Sequence, residues 1–303
     1  MSGFGAPQGL TNIGEEAKPP FVVLPDPSTL FLNRSKRLRT LATGHILESY
    51  LNFAGDVTAA QHATQATLPV ANLPAGSEIQ EALDGGTPPL SRQAFEPGDA
   101  GELTLRKLLE SLRQTGMPQE AGFAIESLAA ASSEKLRQLM SGALKDAPAD
   151  DAAERVLILA GMQVHFSRLA AQLPAERLQP AGDGECPVCG SAPMTSSVVS
   201  WPGAHSTRFC SCSLCGTMWH VVRIKCVLCG STEGIDYHLI EGRPDTIKAE
   251  ACGKCGRYVK VLYQVKEHTL DPLSDDVASL DLDLLLTGEG WKRGGQNLFL
   301  LGY

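Results

Sequence analysis

The chain has 303 residues, 43% of them apolar and 20% charged, and carries a formal net charge of −8. That length suits about two domains, and the composition is that of an ordinary globular protein, which excludes a disordered or fibrous chain. The acidic balance excludes a surface that attracts nucleic acid by charge alone. The first twenty residues hold no apolar run, and the longest such run, 156–162, is too short to span a bilayer. No secretory signal and no stable membrane insertion are expected, and a cytoplasmic protein with reduced thiols is the simplest reading.

In chain order, residues 1–27 read as a flexible tail rich in Gly and Pro, with a short extended piece at 21–24. Helix signals begin with Ser28 as the N-cap. Leu38, Leu41, His45 and the group Leu47, Tyr50, Leu51 and Ala54 then recur at three- and four-residue steps, and the pattern could run to about Thr67, where Pro69 discourages it. Residues 69–100 form a connector punctuated by Pro and Gly, with room for short helices. Leu105, Leu108, Leu109 and Leu112 define the next helix, stopped by Gly116 and Pro118. A further helix covers 119–131, and another follows a cap at Ser132 or Ser133. The segment from 148–151 to about Leu173 is apolar nearly all round and belongs at the centre of a bundle. Residues 28–180 are therefore expected to form an all-α domain. It contains no spacing that would set an acid beside a base.

All nine cysteines lie between Cys186 and Cys255. Eight form four Cys-x-x-Cys pairs, each followed by glycine: Cys186/Cys189, Cys212/Cys215, Cys226/Cys229 and Cys252/Cys255. Adding 40 to each position of the first four gives the second four, so the stretch reads as a tandem duplication. Two thiolates with two residues between them can grip one tetrahedral ion where the backbone turns tightly, and the following glycine accepts the positive φ that relieves the turn. Two such knuckles close a four-sulfur shell. Equal spacing favours the first knuckle with the second and the third with the fourth; a cross-braced pairing is the alternative. The segments between knuckles are β-type, at 196–201, 207–210, 217–224, 237–241, 246–250 and 257–265. The fold class is thus α+β. A helical domain is followed by two rubredoxin-like or zinc-ribbon modules, 183–224 and 225–267, and by a C-terminal helix and tail, 268–303. In that last segment Ser274, Asp275 and Asp276 start the helix, and the apolar end 298–301 packs on the helical domain or a partner.

A ribbon fold raises nucleic-acid binding or regulation as one function. Residues 186–267 carry nine Lys and Arg against six Asp and Glu, and two divalent tetrathiolate sites would turn that small excess negative. Trp201, Trp219 and Tyr237 are therefore expected to cover small cores rather than to stack bases. Four sulfurs leave no open coordination position, so an enzyme is not expected. A binding module or a rubredoxin-like iron redox relay remains. Cys210 falls outside the repeat and reads as a small buried apolar residue.

The words CPVCGSAP, RFCSCSLCGTMWHVVRIKC, IKAEACGKCGRYVKVLYQ and DDVASLDLD resemble the family of formate dehydrogenase accessory proteins, FdhE, most strongly over 183–285. The family's four paired-cysteine motifs fall on the eight cysteines above. Trp219, His220, Arg223, Lys225, Glu250, Lys260 and Tyr263 also sit in family-like words, with no role attached. The resemblance implies a cytoplasmic biogenesis factor that contacts the catalytic subunit of respiratory formate dehydrogenase without being part of the enzyme. It also implies two mononuclear tetrathiolate ions, with iron favoured over the zinc that spacing alone would suggest.

Overall fold

The computed structural model describes residues 18–146, 151–182 and 184–301. Most of the expected tail, together with Pro148 and Asp183, lies outside the described residues. Val22–Val23 (β1) is strand, paired antiparallel with Trp219 and Met218 far downstream. The first helix, α1 (Pro27–Ala42), is capped by Asp26 rather than Ser28: the Asp26 carboxylate accepts from the Ser28 amide at 2.9 Å. Pro27 has no amide to satisfy, and the carboxylate suits the positive end of the helix, so the cap sits two residues earlier than expected.

The pattern expected to run unbroken to Thr67 is two helices, α1 and α2 (Glu48–Thr67). The turn between them holds Gly44 at φ +70° and a bond from the Leu47 amide to His45 Nδ1. One helix over this stretch would be roughly 60 Å long, more than a domain of this size can cover. Folding back buries the stripes of both helices against each other, with Ser35 Oγ donating to the Gly55 carbonyl at 2.9 Å. The connector holds α3 (Gly76–Asp84). Next come α4 (Asp99–Leu112), α5 (Gln119–Ala130) and α6 (Ser133–Leu144), the last capped by Ser132. α7 (Ala152–Ala170), capped by Asp151, runs through the middle of the bundle with both its apolar and several of its polar residues buried. Gly161 lets α7 pass close to α4, since a Cβ there would stand 2.9 Å from Leu105 Cδ1.

The cysteine modules share a single sheet. β2 (Thr195–Val198), β3 (Arg208–Ser211) and β4 (Met218–Val221) form one half; β5 (Ile235–His238), β6 (Ile247–Cys252) and β7 (Arg257–Tyr263) form the other. β2 and β5 are offset by the same 40 residues as the cysteines. The order is β1-β4-β3-β2-β7-β6-β5, and the parallel pairing of β2 with β7 joins the repeats into one surface. Each repeat alone has too small a core to stand by itself, and a shared sheet supplies what each lacks.

The expected C-terminal helix is broken at Ser279 into α8 (Ser274–Ala278) and α9 (Leu280–Gly288). The break lets the carbonyls of Asp276 and Ser279 accept from Lys260 Nζ at 2.9 and 2.8 Å. Lys260, Asp276, Asp283 and Arg293 form a buried cluster of two cations and two carboxylates that fastens the helices to β7. Arg37 of α1 grips the Asp275 carboxylate with Nε and Nη2, at 2.9 and 2.6 Å, and so fastens the same helices to the bundle. A short strand, β8 (Lys292–Arg293), follows along β7. The final apolar turn, Leu298–Leu300, is buried beside α7, and the Tyr50 hydroxyl of α2 donates to the Phe299 carbonyl.

Candidate metal centres

Each knuckle is a tight turn closed by backbone bonds. The Gly190 and Gly230 amides donate to the carbonyls of Cys186 and Cys226 at 2.9 Å, and the Gly256 amide to that of Cys252 at 2.8 Å. The four knuckle glycines, Gly190, Gly216, Gly230 and Gly256, have φ between +67° and +76°, a region where a Cβ is strained. The local sequence therefore aims both sulfurs of each pair to the same side.

The hairpins bring these pairs together as equal spacing suggested. Cys186, Cys189, Cys212 and Cys215 form one set; Cys226, Cys229, Cys252 and Cys255 form the other, and the four sulfurs of each lie within 4.8 Å of one another. The cross-braced pairing does not occur. Sulfur separations are 3.6 Å for Cys186–Cys215, 3.4 Å for Cys189–Cys212, 3.9 Å for Cys226–Cys255 and 3.8 Å for Cys229–Cys252. A tetrahedral ion with metal–sulfur bonds of about 2.3 Å sets its ligands about 3.8 Å apart. A disulfide would need about 2.05 Å, and all nine cysteines are free. Either set can hold one ion in a closed shell of sulfur.

The first set is wholly buried, whereas Cys229 and Cys255 of the second are partly exposed. Burial pushes the Cys186 thiol well above its usual range. Burial acts the same way on Cys212, but hydrogen bonds from the thiols of Cys186, Cys189 and Cys215 overcome it and hold that sulfur well below. A divalent ion bound to the four sulfurs would deprotonate them. The first set also has oxygen neighbours: Ser191 Oγ lies 3.2 Å from Cys189 Sγ, and Thr217 Oγ1 lies 3.1 Å from Cys215 Sγ. Cys210 points elsewhere. It is buried in β3 opposite Ser196 and Trp219, and loss of water pushes its thiol up to about 12, so it stays protonated as a small apolar side chain.

The helical half reaches the first set directly. The amides of Leu90 and Arg92 donate to the carbonyls of Val188 and Cys189, both at 2.9 Å. Gln163 of α7 donates to the Ser213 carbonyl between Cys212 and Cys215, and Gln61 of α2 donates to Gln163 Oε1 at 2.9 Å. This polar chain lay outside the sequence reading. Its signal was a glutamine inside the otherwise apolar run of α7. Two residues of the family-like words also gain structural roles. Glu250 accepts from Arg208 Nη1 and from the Tyr237 hydroxyl, each at 2.7 Å, tying β6 to β3 across the repeat boundary. Lys260 centres the buried cluster beneath α8 and α9. Trp219 is buried under β1, while Tyr237 remains half-exposed.

Comparison with known proteins places this architecture. The FdhE N-terminal description matches residues 19–183, the FdhE central domain 185–223 and the FdhE C-terminal domain 224–300. A protein FdhE homolog of Rhizobium meliloti (strain 1021) is 37% identical over 96% of both chains. Protein FdhE of Salmonella choleraesuis (strain SC-B67) is 34% identical, over 93% of this chain and 91% of that one. The crystal structure of the FdhE protein from Pseudomonas aeruginosa superposes with a TM-score of 0.84 at 29% identity, covering 93% of this chain and 99% of the other. With paired four-sulfur sets on a shared sheet, a helical N-terminal half and relatives matched over nearly their whole length, the chain belongs to the FdhE family.

Proposed function

We propose that this protein is a cytoplasmic accessory factor for the maturation of respiratory formate dehydrogenase, binding the catalytic subunit of that enzyme and taking no catalytic part of its own. The observation that carries the reading is the pair of closed four-sulfur sets in a chain of the FdhE family. In this reading Cys186, Cys189, Cys212 and Cys215 hold one ion, and Cys226, Cys229, Cys252 and Cys255 hold a second. Each ion fixes two knuckles and shapes a rigid surface for the client. Iron is the favoured metal on family grounds, and zinc suits the same four sulfurs.

Two features fit a binding role better than a nucleic-acid one. Trp219, one of the rings available for stacking, is buried. Buried ion pairs occupy Arg208 and Lys260, two of the cations of the sheet half. A rubredoxin-like relay is the second reading, favoured by the partial exposure of Cys229 and Cys255, which would let an electron reach the second ion.

The test is affinity purification of the tagged full chain from anaerobic cells producing the catalytic subunit, with metal analysis of the same sample. Co-purification of that subunit with two metal ions per chain is expected. Absence of the subunit at every stage of its maturation would remove the partner reading. Two zinc ions per chain in protein isolated without air would remove the relay.

A further inference from the structure

The chain beside the second set keeps aliphatic side chains in water. Between β4 and Cys226 the residues Val222, Arg223, Ile224 and Lys225 are all exposed, Val222 at 52% and Ile224 at 72%. Val222 also borders a groove of about 410 Å³ whose lining includes Phe21, Trp219, Lys225 and Val227. The N-terminal arm reaches only the start of this stretch. The His220 amide donates to the Phe21 carbonyl at 2.8 Å, and Pro19 and Pro20 have no amides with which to continue the pairing. Residues 222–225 therefore lie past the end of the β1–β4 ladder. Exposed aliphatics bordering an apolar groove are the mark of a contact surface.

Cations gather at the same place. Lys225 adjoins Cys226 and Lys254 adjoins Cys255, and the sulfurs of those cysteines are 3.9 Å apart. The Lys292 amide donates to the Gly256 carbonyl at 3.1 Å, which sets Lys292 beside the fourth knuckle. Arg223, Lys225, Lys254 and Lys292 are exposed, and none has an ion-pair partner among the described residues. Elsewhere most Lys and Arg are paired, Arg37, Arg113, Arg137, Arg177 and Lys266 among them. Glu233 follows the third knuckle and Glu185 lines the groove, yet neither pairs with these four. No Lys or Arg lies within three residues of any cysteine of the first set. A rim of unpaired cations is complementary to carboxylates. A nucleic acid would use the cations alone, whereas Val222 and Ile224 set among them fit a protein segment that brings both charge and apolar side chains.

We propose that this face of the second centre is a docking surface for an acidic segment of a partner protein, whose carboxylates meet Arg223, Lys225, Lys254 and Lys292 and whose apolar side chains cover Val222 and Ile224. The proposal rests on the client-binding reading above and names the face that the client takes.

The experiment measures recovery of the catalytic subunit on the tagged full chain, with metal content and thermal transition checked for each variant. Arg223→Glu with Lys292→Glu should lower recovery about tenfold, because reversed rim charges repel an acidic partner. Ile224→Ser should lower it about fivefold through lost apolar contact. Lys36→Glu with Lys135→Glu, the same charge change on exposed positions of the helical half, should stay within about twofold of the parent. Parent-level recovery in the Arg223/Lys292 variant or in Ile224→Ser would overturn the proposal, as would an equal loss in the Lys36/Lys135 control. If the reversed pair loses an ion or its thermal transition, Arg223→Gln with Lys292→Gln is read by the same criteria. Failure of that pair to fold also overturns the proposal, since the side chains then serve the fold. Poly(U) RNA or phosphatidylserine vesicles bound by the parent and lost in the reversed pair, with subunit recovery unaffected, would give the face to phosphates instead. A parent that recovers no subunit sinks the client reading and the proposal with it; a parent that recovers it while the variants are indifferent sinks the proposal alone.

Discussion

The two cysteine sets share spacing, knuckle geometry and strand order, yet they are embedded differently. The first is buried and gripped from the bundle: Leu90 and Arg92 hold one knuckle, Gln163 holds the other, and α1 lies over Gly216. The second is held from within the sheet half. Arg257 donates to the Leu228 carbonyl at 3.2 Å, the Gly253 amide donates to Gly234, and Gly184 gives room to the Val227 carbonyl. A duplicated motif has become a hinge pin between two halves at one position and a partly open centre at the other. An ion at the first position would stabilise the whole chain; an ion at the second would stabilise its distal sheet.

The sharpest way to break this contrast is to remove one sulfur from each set. Structural ion binding is worth roughly 10–16 kcal/mol, as much as the whole stability of an ordinary domain, about 5–15 kcal/mol. Cys212→Ser is therefore expected to abolish cooperative folding of both halves, seen as loss of the thermal transition and indiscriminate proteolysis. A helical half that melts as in the parent would end the idea of a hinge pin. Cys229→Ser should lose one ion, keep a protease-resistant bundle and open cleavage sites only beyond about residue 224. Equal damage from the two substitutions would erase the asymmetry.

Next in size is the buried charge cluster under α8 and α9. Lys260→Met leaves Asp276 and Asp283 with only Arg293 to neutralise them, and urea denaturation should show a loss of about 3–5 kcal/mol. A loss below about 1 kcal/mol would mean that the cluster does not hold the sheet to its helices. The smallest expected effect belongs to Gln163. Gln163→Ala leaves the Ser213 carbonyl without its side-chain donor at a cost of about 1–3 kcal/mol. It should also speed release of the first ion while leaving the second unaffected. Acceleration of both would assign Gln163 to the general stability of α7 instead.

Much of this was readable in residues close together in the chain. The apolar period and caps of the later helices, Ser132 and Asp151 among them, follow from local chemistry. The strands between knuckles follow from alternation and the Pro202-Gly203 turn. The break at Gly44 was not readable with the same ease. The apolar spacing is helical on either side of it, and the gain from packing α1 on α2 makes the turn preferable. The break at Ser279 has a similar cause, since the freed carbonyls matter only because Lys260 lies beneath them. Arg208 and Glu250 stand on opposite sides of the repeat boundary, and nothing local announces that they meet.

By itself the sequence determined the four knuckles and favoured joining the first with the second and the third with the fourth; the structure excluded the cross-braced alternative. Two intervening residues and a following glycine suffice to shape a knuckle, and a 22-residue arm between knuckles suffices for a hairpin to close the set. Only the tertiary structure decided that the sets are unequal. Its enclosure comes from Leu30, Leu90 and Gln163, residues remote in the chain that reach the first set because the bundle packs against it, and such proximity leaves no mark on local spacing.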